Sequence, residues 1–260
     1  MLEEIIRAAR EAGKIMLEGE KEPIDVKTKA GAANFVTQYD LAVQENLREA
    51  LKKICPEADF LGEEGEAKTT GTELVFIVDP IDGTTNFIHG YRHSAISIAL
   101  AREGKVEYGV VYNPYTEEVF SAKRGEGARR NGETIRVSNR PMEEALICFG
   151  TSPYDPSLAE ASFRLAKKLF DRAADIRRSG SAALDLCAIA AGQCEFDFEL
   201  VLQPWDFAAS SLIIEEAGGC VSRPSGAPLR ILEPNPLIAG NRPVYEAFFK
   251  EGLDKEVEIR

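Results

Sequence analysis

The chain has 260 residues, of which 44% are hydrophobic, so it can build a sizeable core as one large domain or as two closely joined halves. Its formal net charge of -12 argues against nucleic acid or an anionic membrane as the main partner, because binding to either needs a basic surface. An acidic site that recruits a divalent cation is compatible with this charge.

The first residues and the cysteines favour a cytoplasmic protein. The N-terminal segment MLEEIIRAAREAGKIML is acidic near its start and lacks the apolar stretch and cleavage pattern of a signal peptide. No run approaches the roughly 18 apolar residues that a membrane helix needs. The five cysteines are scattered without a Cys-x-x-Cys pair, so we expect reduced, buried thiols rather than a zinc or redox site.

The first half of the chain combines helices with a run of strands. Hydrophobic residues at helical spacing predict helices over 2–19 and 38–54. From 74 to 140 the pattern is typical of β-strands, and the predicted strands are LVFIV, AISIAL, VEYGVVY and EEVFSA. The Glu103-Gly104 pair predicts a hairpin turn between the second and third of these strands.

The second half has a more α/β character. A strand in EALICFG is followed by predicted helices at about 157–170, 181–192 and 206–217, which alternate with the short strands FDFEL and PLIAG. A boundary near residue 142 divides the chain into an N-terminal α+β half, 1–141, and a C-terminal α/β half, 142–260. No flexible linker marks this boundary, so we expect one compact unit.

The segment VDPIDGTTNF, residues 78–87, carries the clearest chemical signal. We expect the strand before it to end at Asp79-Pro80, because proline cannot donate to a β-ladder. The two carboxylates of Asp79 and Asp82 suit Mg²⁺, and the amides of Gly83 and Thr84 could face a phosphate oxygen. The alternative is an ordinary turn, in which Asp79 is a cap and Asp82-Gly83 a hairpin signal.

Phosphatases that form an aspartyl-phosphate carry a different pattern, Asp-x-Asp-Gly-Thr, usually near the N-terminus. In this chain the spacing is Asp79-x-x-Asp82, and Ile81 stands where the nucleophile would be. An isoleucine side chain cannot attack phosphorus, so this class is disfavoured.

Three further stretches contribute acidic residues. LGEEGE contains Glu63 and Glu64 in a glycine-bounded turn, NFVTQYD places Asp40 at the entry to a helix, and QPWDFAAS places Asp206 where a helix begins. Each stretch alone is a weak signal, because acids at helix starts are usually caps or dipole partners and a Glu-Glu pair is usually a solvated surface. In combination with VDPIDGTTNF, in this order and at these spacings, they form a specific pattern.

This pattern closely resembles the inositol monophosphatase family, over roughly residues 5–250. The segments that carry the resemblance are NFVTQYD, GEE, VDPIDGTTNF and PWDFAAS followed by EAGG. The resemblance implies a layered αβαβα sandwich of the sugar-phosphatase type, assembled as a homodimer. It also implies Mg²⁺-dependent, Li⁺-sensitive hydrolysis of a small phosphate monoester, with two or three ions per active site.

The resemblance also implies roles for individual residues. The implied metal ligands are Glu63, Asp79, Asp82, Asp206 and the carbonyl of Ile81, with Glu64 touching a third ion through water. Thr84 and Glu63 would orient the attacking water, and Asp40 would position Thr84. The amides of Gly83 and Thr84 would hold the phosphate, and Lys29 matches a lysine that the family has near the site.

For the alcohol side of the substrate, the resemblance implies that Asp82, Asp206, Glu199 and the GSAA segment, which begins with Gly180, Ser181 and Ala182, contact the substrate. This set favours a polyol such as inositol. Ser181 as a helix cap and Glu199 as a plain strand-end acid are the structural alternatives.

Three arginines depart from the expected pattern or flank the substrate segment: Arg129, Arg177 and Arg178. They could bind a second phosphate, which keeps fructose 1,6-bisphosphate and nucleotide 2'- or 3'-phosphates open as substrates, or they could be surface residues.

A function of another class is also open. Some members of the family bind transcription machinery, with catalysis dispensable. The complete set of carboxylates and Thr84 favours an active enzyme with a small sugar or polyol phosphate as its partner, and no nucleic acid or membrane.

Overall fold

The computed structural model of the protein describes residues 1–19, 21–22, 24–28, 35–65 and 73–257. The α-helices within them are α1 (Leu2–Gly19), α2 (Gln38–Ile54), α3 (Thr84–Ile88), α4 (Ala159–Phe170), α5 (Ala182–Ala190), α6 (Pro204–Glu216) and α7 (Arg242–Lys250). The strands are β1 (Val26–Thr28), β2 (Phe35–Thr37), β3 (Asp59–Gly62), β4 (Leu74–Asp82), β5 (Ala95–Arg102), β6 (Lys105–Asn113), β7 (Glu118–Lys123), β8 (Ala128–Arg130), β9 (Glu133–Thr134), β10 (Leu146–Phe149), β11 (Asp175–Arg177), β12 (Phe196–Leu202), β13 (Cys220–Ser222) and β14 (Asn235–Gly240).

Most of the predicted elements are present. The helices predicted over 2–19 and 38–54 have those bounds, and the three helices predicted in the second half correspond to α4, α5 and α6. The hairpin turn between β5 and β6 is also confirmed, since Glu103 and Gly104 both have a positive φ. Sequence reasoning missed α3, α7 and the strands β1, β2, β3, β8, β9, β11 and β13. Apart from α7, these elements have only two to five residues each, too few to show a period.

The larger sheet contains seven strands in chain order, from β3 to β9. Only the β3–β4 pair is parallel, and the other neighbours are antiparallel. Along β4 every residue is buried, because helices cover both faces of the sheet. Phe76 and Val78 contribute to the core that contains α1 and α2, whereas Val75 and Ile77 contribute to the core that contains α5 and α6. This explains why the sequence of β4 is a continuous apolar run.

The smaller sheet has five strands in the order β11-β10-β12-β14-β13. Its first three strands are parallel to one another, and β14 is antiparallel to both of its neighbours. The chain passes from the larger sheet to the smaller one between Thr134 and Leu146.

The elements stack in five layers, which confirms the expected αβαβα sandwich. Helices α1 and α2 cover the outer face of the larger sheet, α5 and α6 lie between the two sheets, and α4 and α7 cover the outer face of the smaller sheet. None of the helices in the described part of the chain is both long and apolar enough to span a bilayer.

Helix α6 lies unusually close to the larger sheet. A β-carbon at Gly109 of β6 would be 2.5 Å from the carbonyl oxygen of Ala209 in α6, so only glycine allows this approach. At the start of the helix, the Ser97 hydroxyl of β5 donates a hydrogen bond to the carbonyl oxygen of Trp205 over 3.1 Å. The position of Asp206, the next residue, is therefore fixed relative to the sheet.

The predicted end of β4 at Asp79-Pro80 is wrong. The strand continues to Asp82, with a shift of its register against β5 between Asp79 and Asp82. Pro80 falls within this irregularity, where a missing N–H is tolerated, and pairing resumes between Asp82 and Ala95.

Candidate active site

The end of β4 and the start of α6 bring three carboxylates together. Each of Asp79, Asp82 and Asp206 offers an oxygen, and these oxygens lie within 4.8 Å of one another. All three side chains are buried. Residues three apart in a regular strand point to opposite faces, so the register shift between Asp79 and Asp82 is what allows both to face the same point.

Each of these carboxylates is oriented by a hydrogen bond from nearby backbone. Oδ1 of Asp79 accepts from the N–H of Ile81 over 2.9 Å, and Oδ2 of Asp206 accepts from the N–H of Gln203 over 2.7 Å. Oδ2 of Asp82 accepts from the N–H of Ala183 over 3.0 Å and from the Ser181 hydroxyl. These hydrogen bonds set the directions of the three carboxylates.

The cavity above this cluster is strongly acidic. Of the described residues that line it, six are acidic: Glu63, Asp79, Asp82, Asp185, Glu199 and Asp206. Arg178 is the only basic residue among the described lining residues. A concentration of carboxylates of this kind favours a cation as ligand.

Burial and mutual repulsion raise the pKa values of these groups. The pKa of Asp79 lies well above its usual value, first because the carboxyl is buried and then because of the charges of Glu63, Asp82 and Asp206. Burial also raises the pKa of Asp82, to about 6, against the opposing effect of its hydrogen bond with Ser181. Magnesium prefers carboxylate oxygens and would relieve this repulsion, so the residues present fit a Mg²⁺ site.

Thr84 lies at the start of α3, next to the carboxylate cluster. Its hydroxyl oxygen is 3.1 Å from the carbonyl oxygen of Ile81 and 3.2 Å from Oδ1 of Asp40, either of which can accept its proton. Asp40 is buried in the first turn of α2, where its Oδ2 accepts from the N–H of Thr37 over 2.7 Å. The predicted pair of Asp40 and Thr84 is therefore in contact.

Gly83, in the VDPIDGTTNF segment, packs closely against the GSAA segment. Its φ of +87° lies in the left-handed region, and a β-carbon here would be 3.0 Å from the carbonyl oxygen of Gly180 and 3.1 Å from that of His93. Asn86 holds the same two loops, since its Nδ2 donates to the carbonyl oxygens of His93 over 2.8 Å and of Ser179 over 3.0 Å. Any larger residue at 83 would push the two segments apart.

The residues predicted to contact the substrate also line this cavity. Gly180, Ser181, Ala182 and Glu199 are all among the lining residues. Ser181 is at the same time the cap of α5, since its hydroxyl oxygen accepts from the N–H of Leu184 over 3.4 Å. Ser181 therefore caps a helix and borders the cavity at the same time, so the two interpretations of GSAA do not exclude each other.

Sequence reasoning missed the loop after β10 as part of the site. Phe149 at the end of β10 lines the cavity, as do Gly150 and Tyr154 after it, and a β-carbon at Gly150 would be only 1.9 Å from the carboxyl carbon of Glu199. The Glu199 carboxyl thus occupies the space that any other residue at 150 would fill. The one available signal was a glycine directly after a predicted strand, which often marks a close approach of the backbone.

The other predicted residues in the described part of the chain do not line the cavity, except Arg178. Glu64 is buried but is not among the residues that line the cavity. Arg177 pairs with Asp175, and Arg129 donates to the carbonyl oxygen of Gly132 over 2.9 Å, so neither side chain is directed into the cavity. Lys29 falls outside the described residues.

The comparison with protein-family models decides the classification. The model described as the inositol monophosphatase family matches residues 1–256.

The chain belongs to the inositol monophosphatase family.

Similar proteins carry two kinds of name. Nus factor SuhB of Escherichia coli strain K12 is 38% identical over 258 residues, which cover 98% of this chain and 96% of that protein. The solved structure of IMPase TM1415 from Thermotoga maritima has a TM-score of 0.88 at 32% identity and covers 97% of this chain and 95% of its own.

A second solved structure contains a ligand. The inositol monophosphate complex of IMPase-II from Staphylococcus aureus has a TM-score of 0.80 at 30% identity and covers 95% of this chain and 91% of its own. The same protein has also been solved with 2'AMP bound. Membership of the family supports a phosphatase and leaves the substrate to be argued from the site.

We expect Mg²⁺ to raise the melting temperature, and to raise it more at pH 8 than at pH 5. The pKa of Asp82 is raised to about 6 in the folded state, against an unfolded value of about 4. Its contribution to stability is therefore present below about pH 4 and is lost as the pH rises through about 6, where a cation can replace the proton.

Thermal denaturation in EDTA and in millimolar Mg²⁺ at both pH values measures this effect. The control is Asp206→Asn, which removes one charge of the cluster and is expected to reduce the Mg²⁺-induced shift. A melting temperature at pH 8 that does not respond to Mg²⁺ would contradict the metal site.

Proposed function

We propose that the protein is a Mg²⁺-dependent phosphatase for small sugar or polyol monophosphates, and that inositol monophosphate is its best-supported substrate. The observation that carries this proposal is the convergence of Asp79, Asp82 and Asp206, with oxygens within 4.8 Å of one another, at the base of a cavity lined by Thr84 and the GSAA segment. The proposal includes assembly as a homodimer, which rests on the family resemblance alone.

In this proposal the metal ligands are Glu63, Asp79, Asp82, Asp206 and the carbonyl of Ile81, with Glu64 acting through water on a third ion. Bound Mg²⁺ would supply a water of lowered pKa and would neutralise charge on the phosphate and on the leaving oxygen. Hydrolysis joins the water oxygen to phosphorus and breaks the ester bond between phosphorus and the alcohol oxygen, without a covalent enzyme intermediate. The leaving alcohol oxygen takes up a proton that the attacking water releases.

Thr84 orients the attacking water. Its own proton is directed towards Oδ1 of Asp40 or the carbonyl oxygen of Ile81, so its oxygen is left to accept a hydrogen bond from the water. The Glu63 carboxylate, which lines the same cavity, accepts a hydrogen bond from the second O–H of the water. Two hydrogen-bond acceptors fix the direction from which the water attacks phosphorus. This orientation supplies part of the rate enhancement.

The phosphate is held by the N–H groups of Gly83 and Thr84. The first N–H groups of a helix have no partner within it, and Gly83 is the residue that caps the start of α3. Gly83 and Thr84 both line the cavity, so these N–H groups can face a bound phosphate.

The lining of the cavity favours a hydroxyl-rich alcohol over a second phosphate. Asp82 and Glu199 carry oxygens that accept hydrogen bonds from hydroxyl groups, and Gly180 and Ser181 border the same space. A bisphosphate would bring two further negative charges among six acidic residues, with Arg178 the only basic residue in the described lining. Arg129 and Arg177, which supported the bisphosphate alternative, bond elsewhere.

A second candidate function is a regulatory role through protein binding. The observation that favours it is the name Nus factor of a relative that is 38% identical over nearly the whole chain. A protein with this role alone would not need the buried carboxylate cluster and Thr84, which this chain retains. We therefore rank it below the phosphatase.

Phosphate release from a panel of esters tests the proposed function. We expect Mg²⁺-dependent, Li⁺-inhibited hydrolysis that is fastest with inositol 1-phosphate and slower with fructose 1,6-bisphosphate and 2'AMP. The control is Asp82→Asn, which should lower kcat by two orders of magnitude or more, because it removes a proposed ligand.

The other outcomes are equally informative. A preference for the bisphosphate would overturn the choice of substrate and leave the metal chemistry in place. No activity on any ester would overturn the phosphatase and favour the binding role.

Gly150→Ala tests the contact with the alcohol. We expect the KM for inositol 1-phosphate to rise about ten-fold, since a displaced Glu199 loses its hydrogen bond to the substrate, with a much smaller change for p-nitrophenyl phosphate. Steady-state kinetics of the single and double variants with Glu199→Ala provide the control. An effect of Gly150→Ala that persists undiminished in the Glu199→Ala background would show that Gly150 does not act through Glu199.

A further inference from the structure

The turn that carries Glu63 and Glu64 is held at both of these residues. The N–H of Glu63 donates to the carbonyl oxygen of Val78, in the strand that leads directly to Asp79. The N–H and the carbonyl group of Glu64 are both bound by one side chain, that of Gln44 in α2. The turn is thus fixed to β4 on one side and to α2 on the other.

The contact between Gln44 and Glu64 is a matched pair of hydrogen bonds. Nε2 of Gln44 donates to the carbonyl oxygen of Glu64 over 2.7 Å, and Oε1 of Gln44 accepts from the N–H of Glu64 over 2.9 Å. Gln44 is only 5% exposed, so water cannot replace either bond. Among the side chains of similar length, only the glutamine amide offers a donor and an acceptor side by side.

The neighbouring backbone leaves room for this amide. A β-carbon at Gly62, the last residue of β3, would be 2.2 Å from Oε1 of Gln44. A larger residue at 62 would therefore expel the amide from its place. The contact between Gln44 and the backbone of Glu64 therefore requires a glycine at position 62.

The same face of α2 also contacts Thr84, through Asp40. Asp40 and Gln44 are four residues apart in a helix, so their side chains lie on one face. Oδ1 of Asp40 is 3.2 Å from the Thr84 hydroxyl, one turn away from the contact of Gln44 with Glu64. Val43 and Leu47, both fully buried, hold the helix in the core of the larger sheet. Helix α2 therefore contacts both the turn that carries Glu63 and Glu64 and the hydroxyl group of Thr84.

We propose that Gln44 is a positioning residue for the metal site, which sets the Glu63-Glu64 turn at the distance from Asp79 and Thr84 that Mg²⁺ binding requires. This inference rests on the proposed function and extends it to a residue that makes no contact with ion or substrate. Groups that orient metal ligands through hydrogen bonds typically change metal affinity by 10- to 100-fold when removed.

The test is Mg²⁺ binding to the purified full chain, measured by isothermal titration calorimetry. Gln44→Met has nearly the same volume and a similar helix propensity, and it removes both hydrogen bonds. We expect the Kd for Mg²⁺ to rise about ten-fold or more. The matched control is Leu47→Ala in the same helix, which lowers the melting temperature through a cavity and is expected to leave the Kd unchanged.

A second variant, Gln44→Asn, keeps the amide and shortens its reach by one methylene, so it should also weaken Mg²⁺ binding and serves if Gln44→Met does not fold. If the wild type binds Mg²⁺ and either variant binds it equally well, the role of Gln44 is overturned and the proposed function stands. If Leu47→Ala weakens binding as much as Gln44→Met does, Gln44 acts only through stability. A wild type that does not bind Mg²⁺ overturns the proposed function and this inference together.

Discussion

The structure depends on the enforced proximity of three buried carboxylates. When ionised, the carboxylates of Asp79, Asp82 and Asp206 repel one another, and burial makes their charged forms still less favourable. The fold opposes this repulsion with hydrogen bonds from backbone N–H groups to each carboxylate, and the register shift in β4 brings two of the carboxylates to one point. Protons or a divalent cation are then needed to balance the charge, and this need connects the fold to the proposed chemistry.

The layers of the sandwich hold these groups in place through packed strands and helices. Strand β4 is buried along its whole length, and α6 is pressed against β6 at Gly109, so the two elements that supply the cluster cannot shift independently. Helix α5 adds the bond from Ala183 to Asp82, and α2 adds Asp40. Sites built on such rigid elements keep their geometry before the ligand arrives, which is what catalysis by positioning requires.

Local patterns in the sequence predict the elements and the motifs but not the contacts between distant segments. The periods of α1, α2 and β4 and the segment VDPIDGTTNF are contiguous, so they could be recognised from the residues. The role of Pro80 was predicted wrongly, because the register shift depends on the pairing of β4 with β5. Gln44 gave no local signal and Gly150 only a weak one, since each matters through a partner, Glu64 or Glu199, that lies far away along the chain. Long-range packing decides such positions, and a single sequence does not display it.

The most direct test of the central claim is anomalous diffraction from crystals grown with Mn²⁺ in place of Mg²⁺ and with inorganic phosphate. We expect anomalous peaks at coordination distance, about 2.2 Å, from carboxylate oxygens of Asp79, Asp82 and Asp206. Density for phosphate is expected next to these peaks and the N–H groups of Gly83 and Thr84. Ordered carboxylates without an anomalous peak between them, or peaks only elsewhere on the protein, would contradict the assignment of this cavity as a metal-dependent phosphatase site.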